Sequence, residues 1–269
     1  MNLQLDGKRA LITGSSSGIG EGIAKILAQE GATVVVHGRN KEQAQRVAQD
    51  ITDNGGKAFV ALGDLATDQG ASAVVHQVLA LVSGVDVLVN NAGAYENRGW
   101  MDTPSSGWAE LYNANVLSLV RMVQLLVPQM KQLGWGRIIQ IASSLATQPF
   151  AFTPDYAATK AATVNITVSL AKALAETGIT VNAVSPGIIA TPGIKQFYRQ
   201  NAANRGWGRS TDWAEIEKHV LQEDLYNPTA HLGTVEDVGN LVTFLASPLS
   251  KYINGANYRI DGGSTVTVN

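Results

Sequence analysis

Short runs of β-branched residues recur along this chain, each followed by a longer helix-patterned segment, and that alternation leaves few folds open. Strand-like runs fall at 10–12, 33–36, 58–62, 85–89, 137–141, 180–184 and 257–260. Helix-like segments lie at 18–30, 41–53, 68–83, 105–132, 154–177 and 235–246. Strands that are apolar throughout, without a polar alternation, are buried on both faces, so helices must cover a parallel sheet from either side. The expectation is a doubly wound α/β fold with a seven-stranded parallel sheet. Thr153-Pro154 and Thr103-Pro104 read as N-cap followed by a first-turn proline, and Gly31, Gly84 and Gly178 as residues just past helix ends. No linker, repeat or low-complexity tract divides the 269 residues, which predicts one domain over 1–269.

One interval breaks the rhythm. Residues 190–230 are polar yet carry Phe197, Tyr198, Trp207, Trp213 and Tyr226, together with Lys195, Arg199, Arg205 and Arg209. Two readings stand: a helical excursion that packs its own aromatics, or a lid over a substrate pocket.

Composition excludes several classes of function. With 45% hydrophobic and 16% charged residues the balance is globular, and a net charge of −2 provides no bulk positive field for nucleic acid or an anionic membrane. The absence of cysteine removes disulfides, thiolate nucleophiles and Cys-ligated zinc, and fits a reducing compartment. His37, His76, His219 and His231 are scattered without ligand spacing, so no metal is expected. The segment 116–130 contains Arg121, Gln124 and Pro128, and reads as a buried or interfacial helix, not a membrane span. Residues 1–8 are polar and lack the apolar stretch of a secretory signal, so a cytoplasmic protein is expected.

The residues with chemical potential cluster just after the strands. Thr13-Gly14-Ser15-Ser16-Ser17-Gly18-Ile19-Gly20 follows the first strand and leads into a helix. A strand, a glycine-rich turn and a helix N-terminus form a phosphate site, because backbone N–H groups and the helix dipole face the anion. The spacing G-x-x-x-G-x-G differs from the common dinucleotide fingerprint. Asn90-Asn91-Ala92-Gly93, Ala142-Ser143-Ser144 and Ser185-Pro186-Gly187 with Thr191 follow later strands. Ligands of open α/β sheets bind outside the carboxyl ends of the strands, so these segments should converge on one crevice. Tyr156 and Lys160 stand four residues apart at the start of the following helix, on one face. A nearby ammonium favours the phenolate and lowers its pKa, which makes Tyr156 a candidate proton donor and acceptor for a carbonyl or alcohol oxygen.

Taken together, Thr13–Gly20, Asn90–Gly93, Asn115, Ser143, Tyr156-x-x-x-Lys160 and Pro186-Gly187 resemble the short-chain dehydrogenase/reductase family, in its single-domain branch of roughly 250 residues, similar to 3-oxoacyl-acyl-carrier-protein reductase-like members. The resemblance covers essentially the whole chain and implies a Rossmann-like sheet. It implies hydride exchange between a nicotinamide and a carbonyl carbon, with Tyr156 as acid/base, Lys160 on the phenol and the nicotinamide ribose, Ser143 on the substrate oxygen and Asn115 in the proton relay. Ser144 and Asn113 are the alternatives for the last two roles. The cofactor contacts implied are Gly14, Ser16, Ser17, Gly18, Ile19, Arg39, Asp64, Leu65, Asn91, Ala92, Gly93, Tyr156, Lys160, Pro186, Gly187, Ile189 and Thr191. Asp64 resembles the family's adenine-contacting aspartate, with a carboxylate at a helix start as the alternative.

NAD-selective members usually place an acid at the end of the second strand to bond the adenosine ribose. Here Gly38 takes that place and Arg39 follows, whose guanidinium suits a 2′-phosphate, so NADP(H) is favoured over NAD(H). His37 could touch the same phosphate, although a partly exposed histidine without that role is the simpler reading. Substrates are small carbonyl or alcohol compounds, with 3-oxoacyl thioesters and sugars or polyols as the alternatives. A nucleotide-binding regulator of the same fold, and an isomerase or dehydratase, are the competing functions. The resemblance also implies a homotetramer or homodimer built on the helices at 105–132 and 154–177.

Overall fold

The computed structural model describes residues 2–207, 212–224 and 226–267. Strands β1 (Arg9–Ile12), β2 (Thr33–Gly38), β3 (Lys57–Leu62), β4 (Val87–Asn90), β5 (Gly136–Ile141), β6 (Ile179–Pro186) and β7 (Asn257–Ile260) form one sheet in the order β3-β2-β1-β4-β5-β6-β7. All neighbours pair parallel. The chain order reverses between β1 and β4, and the crevice at such a reversal is where open α/β sheets hold their ligands. Every residue of β5 and β6 is buried, the polar Arg137, Gln140, Thr180, Asn182 and Ser185 among them.

Helices α1 (Gly18–Gln29), α2 (Lys41–Asp53) and α9 (Val235–Ala246) cover one face through a core that includes Ile23, Leu27, Val47, Ile51, Val238 and Val242. Helices α3 (Asp68–Val82), α5 (Ser118–Leu133) and α6 (Pro154–Ala173) cover the other, with Val74, Val78, Met122, Leu126 and Met130 among the buried residues. No helix among the described residues is long and apolar enough to cross a membrane.

Several helix boundaries differ from those the sequence predicts. The segment 105–132 is interrupted: α4 (Ser105–Tyr112) is followed by a π-helical turn, Asn113–Leu117, before α5 begins. Thr103 does not cap α4, because its hydroxyl donates to the Gly99 carbonyl at 2.7 Å. Thr153 stands at the N-cap position of α6 but its buried hydroxyl has no partner, and Asp155 Oδ1 instead accepts the Tyr156 N–H at 2.8 Å. The last turn of the predicted 154–177 helix is lost, since α6 stops at Ala173. At the end of α3 it is Ser83, one residue before Gly84, that adopts the left-handed cap conformation.

The interval 190–230 holds α7 (Pro192–Asn201) and α8 (Trp213–Glu223). Tyr198, Trp207, Ile216, Val220 and Leu232 form a separate apolar cluster there. Tyr198 and Trp207 are packed within it, whereas Phe197 and Tyr226 remain exposed. Arg209 lies outside the described residues.

Candidate active site

The floor of the crevice is built where the β1–α1 and β4 loops meet. The Thr13 hydroxyl accepts the N–H groups of Asn91 and Ala92, both at 3.0 Å. Asn91 Nδ2 returns bonds to the Thr13 and Gly14 carbonyls, also at 3.0 Å. Gly14 has φ +65°, and a Cβ there would stand 2.9 Å from the Ala92 Cα, so only glycine lets the two loops close.

His37 completes this lacing from β2. Its Nδ1 accepts the Gly14 N–H at 3.1 Å, and its backbone N–H donates to Ser15 Oγ at 2.9 Å. It is only 3% exposed, which corrects the expectation of a partly exposed side chain. The reason is that β2 runs on to Gly38, carrying His37 beneath the glycine-rich loop. Burial pushes its pKa down to about 4, so the ring is neutral at pH 7.

Beside it, Gly38 faces Ser16: a Cβ at Gly38 would come within 2.6 Å of Ser16 Oγ. Arg39 is exposed and has no hydrogen bond or ion pair among the described residues. Ser17 occupies the N-cap of α1 without a side-chain bond to the helix, leaving the first-turn N–H groups, those of Gly18 and Ile19 among them, open to an anion.

Across the crevice, Pro186 ends β6 and the Gly187 N–H donates to the Ile260 carbonyl. Thr191 caps α7, accepting the Ile194 N–H at 3.3 Å. Its Cγ2 lies 3.8 Å from the point where a side chain on Gly18 would begin, so the first and sixth strands do bring their loops together. Leu65 and Ile189 have their side chains in the core. Asp64 does not start α3, a task taken by Thr67; its Oδ1 accepts the Ala66 N–H in a local turn. Gly93 is exposed at the crevice mouth.

The candidate proton-handling groups sit at the start of α6. Lys160 is buried and donates through Nζ to the Ile141 carbonyl at 2.8 Å. An ammonium has three N–H donors, and the other two meet no protein acceptor among the described residues. Burial brings its pKa down to about 8, so the cation still predominates at pH 7. Nζ stands 5.5 Å from the centre of the Tyr156 ring.

Tyr156 departs from the expectation of a lowered pKa. Burial of its hydroxyl pushes it up to about 12, opposed by a Ser143 hydroxyl close enough to stabilise the phenolate. Desolvation outweighs the stabilising contacts here, and Tyr156 stands as a phenol, a proton donor, at neutral pH. Ser143, not Ser144, is the serine that meets it.

Asn115 lies in the π-helical turn and is 3% exposed. Its Oδ1 accepts the Ala94 N–H at 2.6 Å, and its Nδ2 donates to the Ala94 carbonyl and to Thr159 Oγ1, each at 3.0 Å. Asn113 points elsewhere, donating to the Ala66 carbonyl at 2.9 Å. The wide turn rotates Asn115 inward toward α6, and such bulges recur at functional sites.

Residues 8–202 match the short chain dehydrogenase family. The chain belongs to that family. It is 34% identical over 268 residues to the 7alpha-hydroxysteroid dehydrogenase of Escherichia coli (strain K12), covering 100% of this chain and 98% of that one. It is 33% identical over 264 residues to the 3-oxoacyl-acyl-carrier-protein reductase of Aquifex aeolicus (strain VF5), covering 98% and 99%. Among solved structures, L-sorbose reductase from Gluconobacter frateurii, complexed with NADPH and L-sorbose, aligns over 100% of both chains with a TM-score of 0.93 at 34% identity. As a short-chain dehydrogenase, the protein is an NAD(P)-dependent oxidoreductase that interconverts carbonyl and alcohol groups.

A nicotinamide dinucleotide fits the residues present. The uncapped first turn of α1 offers donors to a diphosphate, and Lys160 has two N–H groups left for ribose hydroxyls. When bound, the nicotinamide supplies the hydride exchanged with the substrate carbon. The Tyr156 and Ser143 hydroxyls lie close together beside Lys160, where they would meet charge on a substrate oxygen.

Proposed function

We propose that this short-chain dehydrogenase works with NADP(H) in preference to NAD(H) to reduce a small keto compound, Tyr156 giving its proton to the carbonyl oxygen. In this reading Ser143 hydrogen-bonds that oxygen, Lys160 binds the nicotinamide ribose and Asn115 links the site to a proton relay. The observation that carries it is the buried Lys160 ammonium, paired to no carboxylate among the described residues, beside a Tyr156 phenol that meets the Ser143 hydroxyl. Nothing in the fold itself calls for a buried cation there, whereas a ribose diol and a reacting oxygen do. The cofactor preference is supported by the free Arg39 guanidinium next to Gly38, which lacks a carboxylate to hold a ribose diol.

Among substrates, a keto sugar and its polyol are favoured over a steroid. L-sorbose reductase matches with a TM-score of 0.93 over the full length of both chains, against 0.86 for the 7 alpha-hydroxysteroid dehydrogenase complex with NADH. We further propose one domain, with 190–230 acting as a lid, in a cytoplasmic homotetramer or homodimer.

Initial rates with NADPH and NADH in parallel, over keto sugars, 3-oxoacyl thioesters and simple diketones, test the reading. NADPH is expected to win by at least about tenfold, the scale of one lost charge-assisted contact. Tyr156→Phe should abolish reduction while NADPH binding, followed by its fluorescence, stays within about twofold. Undiminished turnover by that variant would remove Tyr156 from the chemistry.

A further inference from the structure

Asp155, the residue before the catalytic tyrosine, has a side chain that is 0% exposed. A buried carboxylate costs several kcal/mol unless its charge and lone pairs are met. Both oxygens of Asp155 are met. Oδ1 accepts the Tyr156 N–H at 2.8 Å, standing in for the cap that Thr153 fails to provide. Oδ2 accepts from Arg98 Nε at 3.0 Å.

Arg98 comes from the loop that joins β4 to α4. Its guanidinium is shared among three partners: Asp155, the Gly107 carbonyl in α4 at 3.0 Å and Glu96 Oε2 at 2.6 Å. One planar fork therefore ties the loop, α4 and the first turn of α6 together. Three residues before Arg98, Tyr95 places its ring edge-on to that of Tyr156, with centroids 5.0 Å apart and planes at 85°. The start of the same loop is fixed by Asn115 through both polar groups of Ala94. The loop is thus pinned at each end of a short stretch whose middle touches the catalytic ring.

We propose that the Arg98–Asp155 pair is a positioning device for the reaction: it holds the Tyr156 backbone and the Tyr95 ring so that the phenol stays aligned with Ser143. Neither residue touches the reacting atoms. Removing the guanidinium leaves a buried carboxylate without its cation, and the first turn of α6 must shift to let water reach it. A misplacement of about 1 Å at a reacting group can cost about 100-fold in rate. The inference rests on Tyr156 as the proton donor, which the Tyr156→Phe variant tests separately.

The test uses the full chain with NADPH and butane-2,3-dione, an activated dicarbonyl small enough for any carbonyl-reducing site. Arg98→Met is expected to lower kcat by about 100-fold while the Kd for NADPH changes by less than about twofold. Arg98→Lys, which keeps the charge and loses the fork, should fall between Arg98→Met and the parent. The double variant Arg98→Met with Asp155→Asn should be faster than Arg98→Met alone, because the unpaired charge has gone. Hydrogen exchange should quicken at residues 154–158 of Arg98→Met and stay unchanged at 13–20. The proposal is overturned if Arg98→Met turns over within about twofold of the parent, or if kcat and NADPH affinity fall together as in a general loss of structure. Should Arg98→Met fail to fold, Asp155→Asn decides. It retains an oxygen for the Tyr156 N–H, and a kcat within about twofold of the parent would equally overturn the proposal.

Discussion

At the scale of single residues, the cofactor end of the crevice is governed by what lies under it. His37 supports the glycine-rich loop only while neutral, because its Nδ1 accepts the Gly14 N–H. Its folded-state pKa, about 4, is below the unfolded value near 6.5, so the native state binds fewer protons between those two pH values. Stability from this group is therefore complete above pH 6.5 and is lost as pH falls toward 4. The full difference amounts to about 3 kcal/mol. Urea unfolding at pH 7 and pH 4.5 should show the loss in the parent and a smaller one in His37→Asn, whose amide oxygen accepts the same N–H without titrating. A pH dependence identical in both proteins would assign the effect elsewhere. Gly38 makes a different point. An acid at this position is the simplest route to an NAD site, yet here its Cβ would press within 2.6 Å of Ser16 Oγ. Gly38→Asp is thus expected to weaken NADPH binding by more than about tenfold without creating useful NADH binding, since the loop must move first. The paired Gly38→Asp, Ser16→Gly variant should recover NADH affinity. Tight NADH binding by the single variant would show that Ser16 gives way freely.

Among the elements, the π-helical turn at Asn113–Leu117 has the most to do with function. A continuous α-helix from 105 to 132 would keep Asn115 on the regular surface. The turn delivers it to Ala94 and Thr159 with three hydrogen bonds. Asn115→Ala removes all three and leaves the N–H and C=O of the exposed Ala94 to water and Thr159 Oγ1 without its donor. The loss should be about 2–4 kcal/mol in chemical denaturation, with turnover falling alongside it. Asn115→Asp keeps the acceptor for the Ala94 N–H but loses both donors, and should sit between. The turn also marks the limit of what the sequence discloses. The parallel sheet and its convergent loops follow from the largely apolar strands and the turn residues, because those patterns report burial and backbone conformation directly, whereas the strand order is given by the structure. The break in the helix has no such mark: Asn113 to Leu117 are compatible with an α-helix, and tertiary bonds decide. Thr153 and Thr103 show the same thing at smaller scale. Each reads as a cap, and neither serves as one: Asp155 takes the Tyr156 N–H in the first turn of α6, and the Thr103 hydroxyl donates to the Gly99 carbonyl. Tyr156 and Lys160 were visible as a pair, whereas the upward shift of the phenol depends on how closely the fold packs around it. Arg98 carried no local signature, and His37 read from the sequence as partly exposed; only long-range contact gives either its place.

For the whole molecule, the question is what covers the outer sides of α5 and α6. Leu117, Leu125, Leu133 and Val168 are 38–50% exposed, and Tyr112 is 43% exposed. Leu117 and Leu125 are eight residues apart and share a helix face with Arg121, which is held back by Asp68 at 2.5 Å. Covering side chains of this kind is worth roughly 1–2 kcal/mol each at about 25 cal/mol per Å². Two copies of such a face can outweigh the association cost, about 4–15 kcal/mol, only if several of them are buried together. The surface therefore fits a two-fold contact in which the same helices meet themselves, as symmetric dimers require. A Leu117→Glu, Leu125→Glu double variant brings four carboxylates together across such an axis and should halve the mass seen by light scattering at micromolar concentration. Because Tyr156 begins α6, turnover should fall in the dissociated species, while the monomer remains folded by circular dichroism. A parent protein of monomer mass at that concentration would refute the arrangement, as would a double variant that assembles unchanged.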